Sequence, residues 1–229
     1  MDLRGHSLLT MHNYSCHDIA YLVKLANVLK RQKQSGILDE EMRGKNVALI
    51  FDYLSTRTRC AFEIASNDLG MGVSNVDVKK LQIGDGESTE DTMRAFSVMY
   101  DGIVYRGPQK KVNTMAKFSS IPIWNALSDE FHPTQALSDL LTIGENFHKL
   151  DELNFTYMGN AQNCVARSLM IACTKMGINF TVCTNKEYFP DEGFVEECNI
   201  YAFQSGSKIT LTEDVANGTR NANVIYTDA

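Results

Sequence analysis

From about residue 45 to its end the chain alternates short strand-like apolar runs with longer helical ones, and this rhythm leaves few folds open to it. It is the pattern of a parallel sheet joined by crossover helices, so the expected fold class is α/β. The strand-like runs are Asn46–Tyr53, Val73–Asp77, Gly102–Arg106, Ile121–Ala126, Asn154–Gly159, Asn179–Thr184, Lys208–Thr212 and Asn223–Asp228, two sets of four. Ahead of them Ser15 and Asp18 have the spacing of a capping box. Ile19, Leu22, Val23, Ala26 and Leu29 recur on one face of the helix that follows, which is expected to pack on the first set. Between the sets, Pro133 suits the first turn of a helix carrying Leu137, Leu140, Leu141 and Ile143. That helix is expected to bridge two lobes, with a hinge near its end dividing the chain into domains 1–147 and 148–229. The last run stops at the carboxyl end of a strand, where parallel sheets gather their ligands. The second lobe therefore reads as incomplete, a truncation or a fragment.

Composition narrows the function classes. With 44% hydrophobic and 22% charged residues, the 229-residue chain can bury a substantial core and is not expected to be disordered. The 22 Lys and Arg against 28 Asp and Glu leave a net charge of −6, which argues against a nucleic-acid or anionic-membrane surface. An anionic ligand has to be met by a local cluster. The six cysteines, at 16, 60, 164, 173, 183 and 198, form no C-x-x-C pair, so neither a zinc site nor a disulfide framework is expected and the thiols read as free and buried. The amino terminus lacks a signal-like apolar stretch, and no run approaches the ~20 apolar residues that span a bilayer. A cytoplasmic setting follows from this reading.

The strongest chemical signal is Ser55-Thr56-Arg57-Thr58-Arg59, which follows a strand and opens a helix ending at Gly70. Amide groups at a helix start, three hydroxyls and a guanidinium make an anion cradle, although a capped, solvated helix start would use the same residue types. Neither G-x-x-x-x-G-K-[ST] nor G-x-G-x-x-G occurs, so a small phosphorylated ligand is favoured over a nucleoside triphosphate or dinucleotide. Arg106 closes a later strand, and His132 and Gln135 open the bridging helix. Such donors can stabilise a carbonyl oxygen as it gains charge in acyl transfer, whereas a sheet-end salt bridge for Arg106 and a helix cap for His132 are the plainer uses.

Four segments carry a resemblance: Ser55 to Glu63, Gln82-Ile83-Gly84 with Glu87-Ser88, Met99 to Gly107, and Asp129-Glu130-Phe131-His132-Pro133-Thr134-Gln135. In this order, along essentially the whole chain, they resemble the ornithine carbamoyltransferase family. The resemblance implies two doubly wound parallel-sheet lobes, domain 1–147 binding carbamoyl phosphate and domain 148–229 binding L-ornithine. It implies a homotrimer or higher assembly, no metal or organic cofactor, and transfer of the carbamoyl group to ornithine to give citrulline in arginine metabolism. By position, Ser55, Thr56, Arg57 and Thr58 would hold the phosphate, while Arg106, His132 and Gln135 would orient and polarise the carbamoyl group. Gln82 would reach a neighbouring subunit's site. Arg57, Arg106 and His132 would be the catalytic residues.

The resemblance weakens in the second lobe. The strand-to-helix turn reads Gly159-Asn160-Ala161-Gln162-Asn163-Cys164, where the family has an Asp after the Gly and a pair of Asn. Cys164 stands at the second Asn, and a thiol is a far weaker hydrogen-bonding group than a carboxamide. Asn163, Cys164 and Asp228 are the candidate ornithine-binding residues. A non-catalytic carbamoyl-phosphate-binding paralogue and a carbamoyltransferase for another amine stay open as alternatives.

Overall fold

The computed structural model describes residues 2–37, 40–77, 86–147 and 149–227. The first sheet is built from β1 (Asn46–Phe51), β2 (Gly72–Val76), β3 (Gly102–Arg106) and β4 (Ile123–Asn125) in the order β2-β1-β3-β4. The second contains β5 (Asn154–Met158), β6 (Asn179–Cys183), β7 (Ile209–Thr212) and β8 (Val224–Thr227) in the order β7-β6-β5-β8. Every strand pair is parallel. Each of the eight strand-like runs therefore supplies one strand.

The helices are α1 (Cys16–Gln34), α2 (Arg57–Asp68), α3 (Thr89–Met99), α4 (Gln109–Phe118), α5 (Pro133–Asn146), α6 (Cys164–Lys175), α7 (Glu192–Ser205) and the short α8 (Val215–Thr219). In both sheets the strand order reverses beside the first strand. With right-handed crossovers, that reversal sends helices to opposite faces, which is the doubly wound arrangement.

The first sheet shows both faces in its sequence alternation. Ala48, Ile50, Ile103 and Tyr105 point to one side and pack with Met93 of α3 and with Val112 and Met115 of α4. Val47, Leu49 and Val104 point to the other, where Phe62 of α2 joins them. Burial on both faces is why these strands read as nearly continuous apolar runs. In the second sheet the register partners Phe155 and Phe180 stack at 5.2 Å between ring centroids, and Tyr226 lies 5.8 Å from both Phe155 and Tyr157. Offset aromatic pairs of this kind add about 0.5–1.5 kcal/mol beyond their area.

Residue contacts divide the chain into two compact units, Met1–Thr10 with Ala26–Phe131 and Met11–Leu25 with His132–Ala229. The start of α1 thus belongs to the second unit and only its later part to the first, where the apolar stripe alone had suggested packing on the first set. The reason is polar. The Lys175 ammonium at the end of α6 donates to the carbonyl oxygens of Met11, His12 and Tyr14 at 2.8, 2.5 and 2.8 Å, fastening the segment that leads into α1. The capping box forms as read, with Ser15 N–H donating to Asp18 Oδ2 at 2.9 Å and Asp18 N–H to Ser15 Oγ at 3.2 Å.

The cysteines need a correction. All six are free, but only Cys173, Cys183 and Cys198 are buried; Cys164 is half-buried, and Cys16 and Cys60 are exposed. The exposed pair sit in the first turns of α1 and α2, on solvent-facing positions.

Candidate active site

In an open parallel sheet, ligands collect where the strand order reverses, outside the carboxyl ends of the strands. In the first sheet that point lies between β1 and β3, whose last paired rung is Phe51 with Arg106. The loop leaving β1 carries Ser55 and Thr56 into α2, which begins at Arg57. Thr56 is the N-cap residue, and its side chain makes no capping bond, so the helix start is not closed by its own hydroxyl. That favours the anion cradle over the plain capped start. Thr58 and Ser55 are half-buried, and Thr56 and Arg57 are exposed. At the other end, Leu69 caps α2 and Gly70 adopts φ +78°, the left-handed conformation that glycine takes without strain.

An open cleft of about 700 Å³ lies at this edge of the first unit, lined among others by Asp52, Ser55, Thr56, Arg59, Asn75 and Asp77. Arg57, Thr58 and Arg106 are not among its lining residues. Arg106 is held in place by its backbone, since its carbonyl accepts from Asp52 N–H at 2.8 Å and from Tyr53 N–H at 3.4 Å. Its guanidinium donates to the Ala126 carbonyl at 3.4 Å.

Beneath this loop sits a group that the sequence reading missed. Asp52 Oδ2 accepts from the Tyr105 hydroxyl at 2.5 Å and from Lys111 Nζ at 2.9 Å. Burial pushes the Tyr105 phenol well above its ordinary value, and the Asp52 carboxylate adds to the shift, so the hydroxyl stays a donor. A Cβ on Gly107 would stand 2.4 Å from the Tyr105 hydroxyl, so the residue after Arg106 has no room for a side chain.

A second missed group shapes the loop that leads to His132. Buried Asn125 donates through Nδ2 to the Leu9 carbonyl at 2.9 Å and to Gln109 Oε1 at 3.2 Å, while its Oδ1 accepts from Leu127 N–H at 3.1 Å. Leu127 is held at φ 133°, a costly conformation for a branched side chain. Gly107 N–H donates to the Leu127 carbonyl at 3.1 Å, tying the distorted residue to the end of β3.

In the second unit, His132 is the N-cap residue of α5 and is buried. Its backbone N–H donates to Ser168 Oγ of α6 at 2.7 Å, and Ser168 in turn donates to the Cys164 carbonyl at 2.8 Å. The Thr134 hydroxyl lies 3.3 Å from His132 Nδ1. Gln135, half-buried in the first turn of α5, donates through Nε2 to Asp139 Oδ1 at 2.9 Å.

The switch point of the second sheet lies between β5 and β8. Asn163, leaving β5, is the N-cap of α6: its Oδ1 accepts from Val165 N–H at 2.9 Å and Ala166 N–H at 2.8 Å. Its Nδ2 donates to the Tyr157 hydroxyl at 2.7 Å. The carboxamide therefore holds the turn, and Cys164 follows as the half-buried first residue of the helix. Gln82 and Asp228 lie outside the described residues. Among the described residues, no group of three or more His, Cys, Asp or Glu side chains is placed to hold a metal ion, and no helix is long and apolar enough to cross a membrane.

Comparison with known proteins bears on the same two regions. Residues 6–145 match the family model described as the aspartate/ornithine carbamoyltransferase carbamoyl-P binding domain, and residues 151–229 match the corresponding Asp/Orn binding domain. The chain is 51% identical over 228 residues to a catabolic ornithine carbamoyltransferase of Treponema denticola, covering 99% of this chain and 68% of that protein. Among solved structures, the ornithine carbamoyltransferase from Pyrococcus furiosus superposes with a TM-score of 0.96 at 36% identity, over 100% of this chain and 73% of that one. An aspartate transcarbamoylase from Trypanosoma cruzi, in complex with carbamoyl phosphate, gives 0.90 at 26% identity, over 98% and 72%.

Proposed function

This chain belongs to the aspartate/ornithine carbamoyltransferase family, and from that premise we propose that it transfers the carbamoyl group of carbamoyl phosphate to the side-chain amine of L-ornithine, giving citrulline and phosphate. The observation that carries the first substrate is the helix start at the β1–β3 switch point. There Ser55, Thr56, Arg57 and Thr58 open a helix whose N-cap side chain leaves its amides uncapped, and Arg106 ends the neighbouring strand. Support for ornithine as the second substrate comes from the names of relatives at 51% and 41% identity.

In this reading, domain 1–147 binds carbamoyl phosphate and domain 148–229 binds the amino acid. Ser55, Thr56, Arg57 and Thr58 hold the phosphate, Arg106 and His132 polarise the carbamoyl carbonyl, and Gln135 orients the group. The neutral amine attacks the carbamoyl carbon. As the C–N bond forms, the carbonyl oxygen gains charge, which Arg106, His132 and Thr58 stabilise. The C–O bond to phosphate then breaks, Arg57 compensates the departing charge, and the surplus amine proton leaves with the phosphate. Catalysis rests on holding two reactants in register and on fixed positive charge, without a covalent enzyme intermediate or a cofactor. Asn163 keeps the turn before α6 in shape, and Cys164 and Asp228 are the residues assigned to the amino-acid end of ornithine.

The working form is a cytoplasmic homotrimer or higher assembly in which Gln82 serves a neighbouring subunit's site. Leu54 and Val98, 99% and 89% exposed, are apolar groups that such an assembly would cover. The test is transfer of radiolabelled carbamoyl groups to a panel of amines, with carbamoyl phosphate binding followed by calorimetry. Saturable binding with preferential citrulline formation supports the reading. Binding without transfer to any amine supports the non-catalytic alternative, and preference for aspartate or another amine, an alternative that Cys164 keeps open, moves the substrate. Sedimentation at micromolar concentration tests the assembly, and a folded monomer would exclude it.

A further inference from the structure

Asp139 lies one turn after Gln135 on α5, and its Oδ1 accepts the hydrogen bond from Gln135 Nε2 at 2.9 Å. An ionised carboxylate only accepts, so the carboxamide must turn its NH₂ toward Asp139 and its carbonyl oxygen away. Burial pushes the Asp139 carboxyl above its ordinary value, while hydrogen bonds from Gln135 and Tyr226 pull it back. Tyr226 belongs to β8, one of the two strands flanking the second switch point. A pair of this spacing on an exposed helix face contributes only about 0.2–0.5 kcal/mol, whereas placing a carboxylate where water is scarce costs more than that. The pair is expensive to keep for helix stability alone.

The chemistry of the ligand supplies a use. A carbamoyl group presents a carbonyl oxygen, which needs donors, and an NH₂, which needs an acceptor. Arg106 is a donor only. A glutamine left to itself offers either end of its amide, and one of the two orientations sets NH₂ against NH₂.

We propose that Asp139 is a positioning residue for Gln135, fixing the carboxamide so that Oε1 receives the carbamoyl NH₂ and the site selects a carbamoyl over an acetyl group on the same phosphate. This rests on the carbamoyl phosphate reading above. Acetyl phosphate differs only by a methyl in place of NH₂, so it loses the bond that Gln135 accepts and is indifferent to which way the amide faces. Inorganic phosphate has no acyl group at all.

The experiment measures affinities for carbamoyl phosphate, acetyl phosphate and inorganic phosphate by calorimetry in the wild type, Asp139→Asn, Asp139→Ser, Gln135→Ala and the double variants. Either substitution at Asp139 puts a donor beside the carboxamide and frees its orientation. Carbamoyl phosphate binding should weaken about five- to tenfold, the effect of one hydrogen bond, with acetyl phosphate and inorganic phosphate unchanged. In the Gln135→Ala background the change at Asp139 should add nothing. Equal weakening of all three ligands, an additive cycle, or no effect of either substitution overturns the proposal while leaving the carbamoyl phosphate reading in place. A wild-type chain that does not bind carbamoyl phosphate removes both.

Discussion

Ser168→Ala isolates the contact that places His132. Ser168 is 1% exposed and His132 is 6% exposed, so loss of the hydroxyl at 2.7 Å removes the acceptor of the His132 backbone N–H in a buried setting. A buried donor left without an acceptor costs about 1–3 kcal/mol. The second bond of the hydroxyl, to the Cys164 carbonyl, adds little, because that carbonyl lies in the helical ladder of α6. At roughly 2–4 °C per kcal/mol for a chain of this size, the melting temperature should fall by about 2–12 °C. Two measurements check this: the urea midpoint, and hydrogen exchange at the His132 amide. The second is the sharper, because exchange at that one amide should accelerate beyond the global change. Unaltered His132 exchange together with a stability change under about 0.5 kcal/mol would refute the assignment of Ser168 as the group that fixes the start of α5.

Arg57→Ala removes the proposed charge-assisted partner of the phosphate, and carbamoyl phosphate affinity should fall about ten- to hundredfold, read by calorimetry; equal affinity would sink the cradle. Lys111→Met leaves the Asp52 carboxylate without its cation in the cleft proposed to take the phosphate, so inorganic phosphate affinity should fall about fivefold and recover in part when Asp52→Asn is added; no recovery would mean that the effect is not electrostatic. Asp18 is held below its ordinary value of 3.8 by bonds from the Ser15 hydroxyl and N–H, so its contribution to stability is present above that pH and is lost as pH falls through the lowered value. Denaturation of wild type and Asp18→Asn should therefore differ at neutral pH and converge in acid, and a gap independent of pH would count against the capping box.

What could be read from the sequence followed from how far apart the interacting groups lie along the chain. Strand positions come from local alternation, and all eight runs became strands. The helix start used by the proposed anion cradle was legible because its hydroxyls, guanidinium and first helical residues are consecutive. Asp52 was passed over within the same segment, since its partner Lys111 is 59 positions away and no short-range pattern couples them. The Asn125 to Leu9 bond spans 116 positions and the Lys175 bonds to the start of α1 span more than 160, which is why the origin of α1 in the second unit could not be inferred from its apolar stripe. Asn163 illustrates a different limit. Its residue type fitted both a ligand contact and a helix cap, and only the bonds to Val165, Ala166 and Tyr157 reveal how fully the cap occupies it.

The same residue type does opposite work at the two ends of these sheets. At the amino ends, polar side chains close the backbone. Asp101 Oδ2 accepts from Asn46 N–H at 2.8 Å and its Oδ1 accepts from Lys45 at 2.9 Å. In the second sheet Asn223 Oδ1 takes Asn154 N–H at 2.8 Å, Asn179 Nδ2 reaches Asn154 Oδ1 at 3.0 Å, and Asn179 Oδ1 takes Lys208 N–H at 3.0 Å. These chains of carboxamides satisfy strand ends that would otherwise need water. At the carboxyl end of β1 the backbone is closed instead by other backbone groups, where Asp52 and Tyr53 N–H meet the Arg106 carbonyl, whereas at the end of β4 the Asn125 side chain does the closing by accepting from Leu127 N–H. Asparagine at the start of a strand is therefore a structural residue in this protein. Past the end of a strand, a polar side chain is a candidate for chemistry unless a helix start has already claimed it. That criterion separates Arg106 from Asp101 on one strand and one loop, and it sets Arg57, which opens a helix but faces outward, apart from Asn163, which opens a helix by binding its amides.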